Sequence, residues 1–425
     1  MASIVTSKFR IHNAQQFYES FSEAANTIMY LFVGKNTAFA NDNSPPTPIN
    51  STANIEYTPW RDMYGVKRIQ SADVTHAVPR YDWTSGTVYT AYDDTSTSLL
   101  TDTFYVMTED YNVYKCLFNN ASAASTTKPT GTSSARFTTA DGYIWKFMYT
   151  VTTAKALKFL TNDYIPVQTL TSDGGEDQWD VQAAAVDGGI HVIKVTAGGS
   201  GYATAPAVTI TGDGTGATAN STITANVVTA VTITAAGTGY TKASVSFASG
   251  AAAATAIISP RYGHGADPIE ELGAKYIMIN VRLDGSESNT ISTANEFRQV
   301  GIVRDPYLFG TTTRASASSY RQTFKYQLSG ISGTFSLDEP VSSGSNTSNV
   351  VEWDTPNLYV IKPINQNFAN GATITCATST ATGTIAAITT PGLQPYTGDI
   401  LYVENRVPIS RAADQIEDVK LIIQF

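Results

Sequence analysis

Charge is scarce in this chain. Asp, Glu, Lys and Arg make up 15 % of its 425 residues, where roughly 25 % is usual. Acidic residues outnumber basic ones, 36 to 27, for a formal net charge of −9. Arg304, Arg314, Arg321 and Lys325 are scattered rather than gathered in a run. Nucleic acid is therefore excluded as a main partner, because phosphate binding needs concentrated positive charge. Cysteine is nearly absent. Cys116 and Cys376 are the whole complement, too few for a disulfide framework. Cys116 lies in an apolar run and reads as a buried free thiol. No uninterrupted apolar stretch reaches the ~18 residues of a membrane span. The opening MASIVTSKFRIHNAQQ has no apolar core of signal-peptide type. The expectation is a protein made in the cytoplasm, with no membrane association.

What is abundant is uncharged. Apolar residues are 42 %, with Tyr 23 and Gly 31, and Ser, Thr and Asn fill much of the rest. That balance suits a β-rich protein with many turns and large contact faces. The length allows two or three domains.

The final residues show the pattern most clearly. Val419, Leu421, Ile423 and Phe425 alternate with Lys420, Ile422 and Gln424. A period of two predicts a half-buried strand. Such a strand needs neighbours built by distant segments. Ile400 to Val403 reads the same way.

Earlier segments follow similar rules. Ile4 to Ile11 is expected as a short strand. Asn13, with Gln16 three residues on, resembles a capping box. Phe17, Tyr18, Phe21, Ala24 and Ala25 would be the apolar face of the following helix, ended by Asn26. Thr27 to Val33 reads as a strand closed by Gly34, and Asn36 to Ile55 as a polar loop. Thr58-Pro59 resembles a cap and a first-turn proline, with a short helix through Met63 ending at Gly65. Phe104 to Met107 and Val113 to Phe118 flank the turn TEDYN as a hairpin. Tyr143, Trp145, Phe147 and Tyr149 alternate as one aromatic face. Ala154 to Leu160 is a short helix. Tyr276 to Leu283 and Phe297 to Val303 are apolar strands.

The stretch from Gly188 to Pro260 is almost free of charge and aromatics, and it contains a repeat. VTAGGSGY (Val195 to Tyr202) recurs as ITAAGTGY (Ile233 to Tyr240), an offset of 240 − 202 = 38 residues. Each copy offers a strand, a Gly-rich turn, a Tyr and a second strand, Val208 to Ile210 or Val245 to Phe247. Two such copies can pack as a small sandwich.

Candidate chemistry is thin. His12, His76, His191 and His264 lack any metal-ligand spacing. His264, between Gly263 and Gly265, reads as a turn or interface residue. Gly198-Gly199-Ser200-Gly201 lacks G-x-S-x-G spacing, and its recurrence at Gly237-Thr238-Gly239 points to turn geometry. Asp93-Asp94, Glu270-Glu271 and Gly174 to Asp177 read as solvated acidic faces, without the cleft a glycosidase needs. Asp213-Gly214 lacks a calcium-loop series. Glu404, Arg406, Asp414, Asp418 and Lys420 are either ion pairs locking the terminal strand or a rim of surface charges. No catalytic, cofactor-binding or metal-binding residue is assigned, and no cofactor is expected.

Six blocks, in order, carry a family resemblance: IVTSKFR (Ile4 to Arg10), VPRYDW (Val78 to Trp83), VYKCL (Val113 to Leu117), DGYIWKF with NDYIPV (Asp141 to Phe147, Asn162 to Val167), FRQVGIVRDP (Phe297 to Pro306), and ENRVPI with DQIED (Glu404 to Ile409, Asp414 to Asp418). They resemble the baseplate wedge subunits of contractile-tailed, T-even-like bacteriophages, of the gene-product-eight type. The resemblance implies a non-enzymatic, late structural protein of the virion. It also implies a homodimer that contacts other baseplate wedge proteins and rearranges on host attachment. Low charge, many Tyr residues and scattered Arg agree with large interfaces.

The expected fold class is mainly β: a layered β-sandwich core with short helical excursions and two β-rich insertions. The expected divisions are 1–187 (core, first part), 188–260 (inserted repeat domain), 261–310 (core, second part), 311–395 (second insertion) and 396–425 (core-closing terminal strands). Two other readings stand beside the wedge subunit. One is a receptor- or carbohydrate-binding tail fibre or adhesin module, using Tyr residues and the Gly/Thr-rich repeat. The other is a secreted polysaccharide-degrading enzyme.

Overall fold

The computed structural model describes residues 3–23 and 27–425. The chain is mainly β, with 25 strands and five α-helices among the described residues. It divides into two compact units. One comprises the N-terminal residues through Gln16, then Thr75–Met278 and Ile422–Phe425; the other comprises Phe17–Val74 and Ile279–Leu421.

In the first unit, Tyr105–Met107, Asn112–Phe118, Ile144–Thr150 and Phe137–Thr138 form one antiparallel sheet in that order. The hairpin read around TEDYN is present, with Met107 opposite Val113. The aromatic strand departs from a single-face reading. All of Trp145 to Tyr149 is buried. A register shift at Val113/Tyr114 interrupts the pairing near Met148, and a bulge of this kind breaks the alternation. Trp145 and Phe147 join the core of Tyr89, Tyr114, Cys116 and Tyr143. Met148 and Tyr149 join a different one with Phe104, Ile165 and Leu272.

The repeat folds into three antiparallel pairs: Ile190–Ala197 with Ala253–Ile258, Val208–Gly212 with Ala243–Phe247, and Thr215–Thr224 with Val227–Thr238. The second strands of the two copies pair directly, Val208 opposite Phe247 and Ile210 opposite Val245. Ile193, Ile233, Tyr240 and Ala256 share their core.

The second unit contains a five-stranded sheet in the order Ser319–Arg321, Met63–Arg68, Met29–Gly34, Phe297–Arg304, Asp399–Ile409. Gly301 sits mid-strand because a side chain there would strike the Tyr402 carbonyl and the Phe32 ring. Phe324–Ser332, Asn357–Val360, Asn346–Asp354, Pro340–Ser343, Thr373–Cys376 and Thr382–Thr389 close into a barrel. Closure leaves no sheet edge. Its interior holds Tyr326, Leu328, Val350, Val360 and Ile374. Asp338 Oδ1 accepts from Asn36 Nδ2 at 2.8 Å and Asn295 Nδ2 at 2.7 Å, tying the barrel to the sheet.

Two helix readings need correction. Ser7–Glu19 is one helix, so Ile4 to Ile11 is not a strand and Asn13 is internal rather than a cap. The Thr6 hydroxyl accepts from the Phe9 backbone N–H instead. Ile11 and Ala14, three residues apart, are its buried stripe. Ala24, Ala25 and Asn26 lie outside the described residues. The second helix is Thr52–Asp62, capped by Ser51, with Pro59 inside it. Met63 then leads directly into a strand. The buried Trp60 indole, packed with Tyr30 and Phe32, anchors that last turn despite the proline. The helix Thr153–Phe159 agrees with its reading.

The terminal strand runs Ile416–Gln424. Val419 and Leu421 are buried, whereas Ile423 and Phe425 are half-buried. Ile422, read as pointing the other way, packs beside Ala77, Phe159 and Met278. The mixed charges nearby resolve into specific partners. Arg406 meets Glu404 at 2.9 Å, and Asp418 meets Arg282 at 3.1 Å.

Candidate functional site

Two strands of the first unit each carry a lysine at the centre of an apolar run, in VYKCL and IWKFM. Lys115 and Lys146 are register partners across the antiparallel pair, so both side chains leave the same face. Lys115 is fully buried and Lys146 nearly so. Like charges placed opposite each other in a sheet are destabilising, and burial adds a desolvation cost.

One of the two charges is answered. Lys115 Nζ donates to Glu271 Oε2 at 2.7 Å and to His264 Nδ1 at 3.0 Å. It also sits 4.1 Å from the Tyr92 ring centroid, close enough for a cation–π contact. Burial lowers the Lys115 pKa, while the Glu271 charge opposes that shift. Glu271 Oε1 in turn accepts the backbone N–H groups of Gly265 at 2.7 Å and Asp267 at 3.3 Å. Glu271 closes the short helix Pro268–Glu271, whose cap is Asp267. Gly265 has φ of 92°, and a side chain there would strike Val181. GHGADPIEE thus reads locally as a left-handed turn, a cap, a first-turn proline and a carboxylate delivered inward.

Lys146 has no such carboxylate. Its ammonium donates to the Ser134 carbonyl. Burial moves its pKa from 10.5 down to about 8, against the nearby Glu271 charge and with the Lys115 charge. The His191 and His264 rings lie 5.4 Å apart. Burial first, then the surrounding cations, lowers His191 to about 4 and holds His264 well below its ordinary value. Both are neutral at physiological pH. Lys146, His191, His264 and Arg136 line a cavity of about 330 Å³. A larger cavity of about 670 Å³ adjoins it, shares Arg136 and His191, and is faced by Asp93, Ser96, Asn119 and Lys194.

The Lys115 network is saturated. Its ammonium has three partners, and His264 Nδ1 is occupied as an acceptor. Such an arrangement holds a strand, a turn and a helix in place; it presents no poised base to a substrate. Burial pushes the Cys116 thiol up, and the Cys376 thiol up to about 12, so neither is a thiolate nucleophile. Among the described residues, no three His, Cys, Asp or Glu side chains are grouped to hold a metal ion.

Several sequence readings change here. Glu271 is not on a solvated face; only 6 % of it is exposed. Gly174 to Asp177 is exposed as expected. Asp94 instead accepts the Ile258 N–H at 3.1 Å. His264 is a turn residue, but a buried one. Asp213 ties its turn by accepting from Thr241 and Lys242. Gly199, Gly201, Gly237 and Gly239 all have positive φ, in keeping with turn geometry. The overlooked signal was a lysine flanked on both sides by apolar and aromatic residues, twice.

The strand that carries Lys115, Asn112–Phe118, lies in the part of the chain that matches known proteins. Residues 3–120 match the family model Phage-Gp8, described as Bacteriophage T4, Gp8. The wedge-subunit resemblance holds. Three of the six sequence blocks, IVTSKFR, VPRYDW and VYKCL, fall inside that match. The chain is also 27 % identical over 206 residues to baseplate wedge protein gp8 of Enterobacteria phage T4. That alignment covers 39 % of this chain and 60 % of the relative.

Proposed function

We propose that this chain is a structural virion protein: a subunit of the phage tail baseplate wedge, acting in baseplate assembly and in its rearrangement on host attachment. The observation that carries the reading is the Gp8-family match over residues 3–120, which takes in the helix Ser7–Glu19 and the Lys115 strand Asn112–Phe118. The chain is read as non-enzymatic, and the saturated Lys115–Glu271–His264 network and protonated thiols support that. Its partners are a second copy of itself and other wedge proteins, and its location is the tail baseplate, after synthesis in the host cytoplasm. Exposed apolar side chains such as Ile4, Phe9 and Leu157 are suited to contacts within an assembly. Residues 188–260 and 311–395 are read as β modules carried by this subunit, since their strands pair among themselves apart from Ser319–Arg321, which joins Met63–Arg68. Nothing specific favours the adhesin reading.

Immunogold labelling of intact particles tests the location; label on fibres or capsids rather than the baseplate would refute it. Light scattering tests the homodimer, with a monomer at micromolar concentration as the refuting result.

A further inference from the structure

Among the described residues, no Asp or Glu side chain pairs with Lys146 or Arg136, two cations of the first unit. Lys146 donates only to the Ser134 carbonyl, and Arg136 Nη2 to the Ile233 carbonyl at 3.3 Å. Both face the 330 Å³ cavity, and no Asp or Glu is among the described residues lining it. Glu271, whose charge acts on Lys146, is already shared between Lys115 and two backbone N–H groups. The floor is closed by the buried His264, Leu117 and Ile233, while the exposed Ala135, Ala184 and Val186 form the rim. Burying positive charge without an anion is costly. An arrangement with one buried and one half-buried cation on one concave wall is therefore electrostatically incomplete as it stands.

We propose that this cavity binds a small organic phosphate, with the phosphate group between Arg136, Lys146 and the His191 ring. A phosphate dianion matches two cations in charge. Its oxygens accept from a guanidinium fork, an ammonium and an imidazole N–H together. The volume has room for on the order of ten water molecules, more than a bare phosphate fills. Ile233, Leu117, Ala236 and Val186 supply an apolar wall for the organic part. Bound anion also compensates Lys146, the one of the two paired lysines that lacks a carboxylate. The site is independent of the proposed place in a baseplate.

Isothermal titration of the full-length protein at constant ionic strength tests this, with inorganic phosphate, glucose 6-phosphate and succinate as probes. Expected is saturable binding of both phosphates at millimolar concentration or below, tighter for the ester, with succinate weakest. Arg136→Gln and Lys146→Met should each weaken the ester by about tenfold or more. Arg136 is only half-buried, so its variant keeps the test decisive if Lys146→Met misfolds. No saturable phosphate binding, unchanged binding in Arg136→Gln, or succinate binding as tightly as the ester would each overturn the proposal.

Discussion

Lys115 and Lys146 stand opposite each other on paired strands, yet only Lys115 has a carboxylate, Glu271 at 2.7 Å. The sheet therefore contains one neutralised and one uncompensated buried cation, and the two should respond differently to perturbation.

Glu271→Gln removes the partner charge but keeps an acceptor for Gly265 and Asp267. Breaking a buried pair from one side costs about 3–5 kcal/mol. The double variant Lys115→Met with Glu271→Gln should recover part of that loss, because no buried charge is then stranded. Urea midpoints measure both, and a double variant less stable than Glu271→Gln alone would contradict the account.

Lys146 makes stability depend on alkaline pH. Its pKa falls from 10.5 to about 8 on folding, so between those values the unfolded chain binds more protons than the folded one. Stability from this group therefore rises as pH increases through about 8, and levels off above the unfolded value. Lys146→Met should flatten that rise. Urea unfolding at pH 7 to 10 measures it, and an identical slope in the variant counts against a depressed Lys146.

Arg298 is 6 % exposed and reaches three partners. Its Nε donates to Asp42 at 2.9 Å, one Nη donates to Glu296 at 2.8 Å, and the other to the Asn36 carbonyl. A lysine cannot reproduce that fork. Arg298→Lys is expected to lose about 0.5–3 kcal/mol, seen as a lower melting temperature; an unchanged melt would show that the fork adds nothing.

Leu421 is 1 % exposed in the terminal strand. Leu421→Asp forfeits about 1.5–3 kcal/mol of burial and adds an unpaired carboxylate in an apolar site. Gln424→Lys, at an exposed position, is the control and should melt like the parent. Equal melting of both variants would mean that this strand contributes no buried face.

Both cysteines are buried, with thiols held protonated by burial. A thiol-specific reagent at neutral pH should label neither until denaturant is added. Rapid labelling of the native protein would contradict the packing of Cys116 with Tyr114 and Trp145 or that of Cys376 inside the barrel.

Much of the β architecture could be read from residue order alone. Period-two alternation locates the terminal strand, apolar content locates the strand from Phe297 to Val303, and the recurrence of VTAGGSGY as ITAAGTGY marks paired units, because a strand's faces and a turn's φ requirements are local properties. Local signals do not by themselves locate every helix start. Thr6 and Ser51, not Asn13 and Thr58, start the helices, because several polar residues can cap and only packing of Ile11 or Trp60 selects among them. The partition of Trp145 to Tyr149 between two cores depended on a bulge whose position is set by the neighbouring strand. The charged centre was decided by tertiary structure entirely. Lys115 and Glu271 are 156 residues apart, and His191, His264 and Arg136 share no spacing that would announce them. Sequence fixes which side chains are too polar for an apolar strand; only the folded chain supplies, or withholds, the opposite charge, because Coulomb attraction acts across space rather than along the backbone.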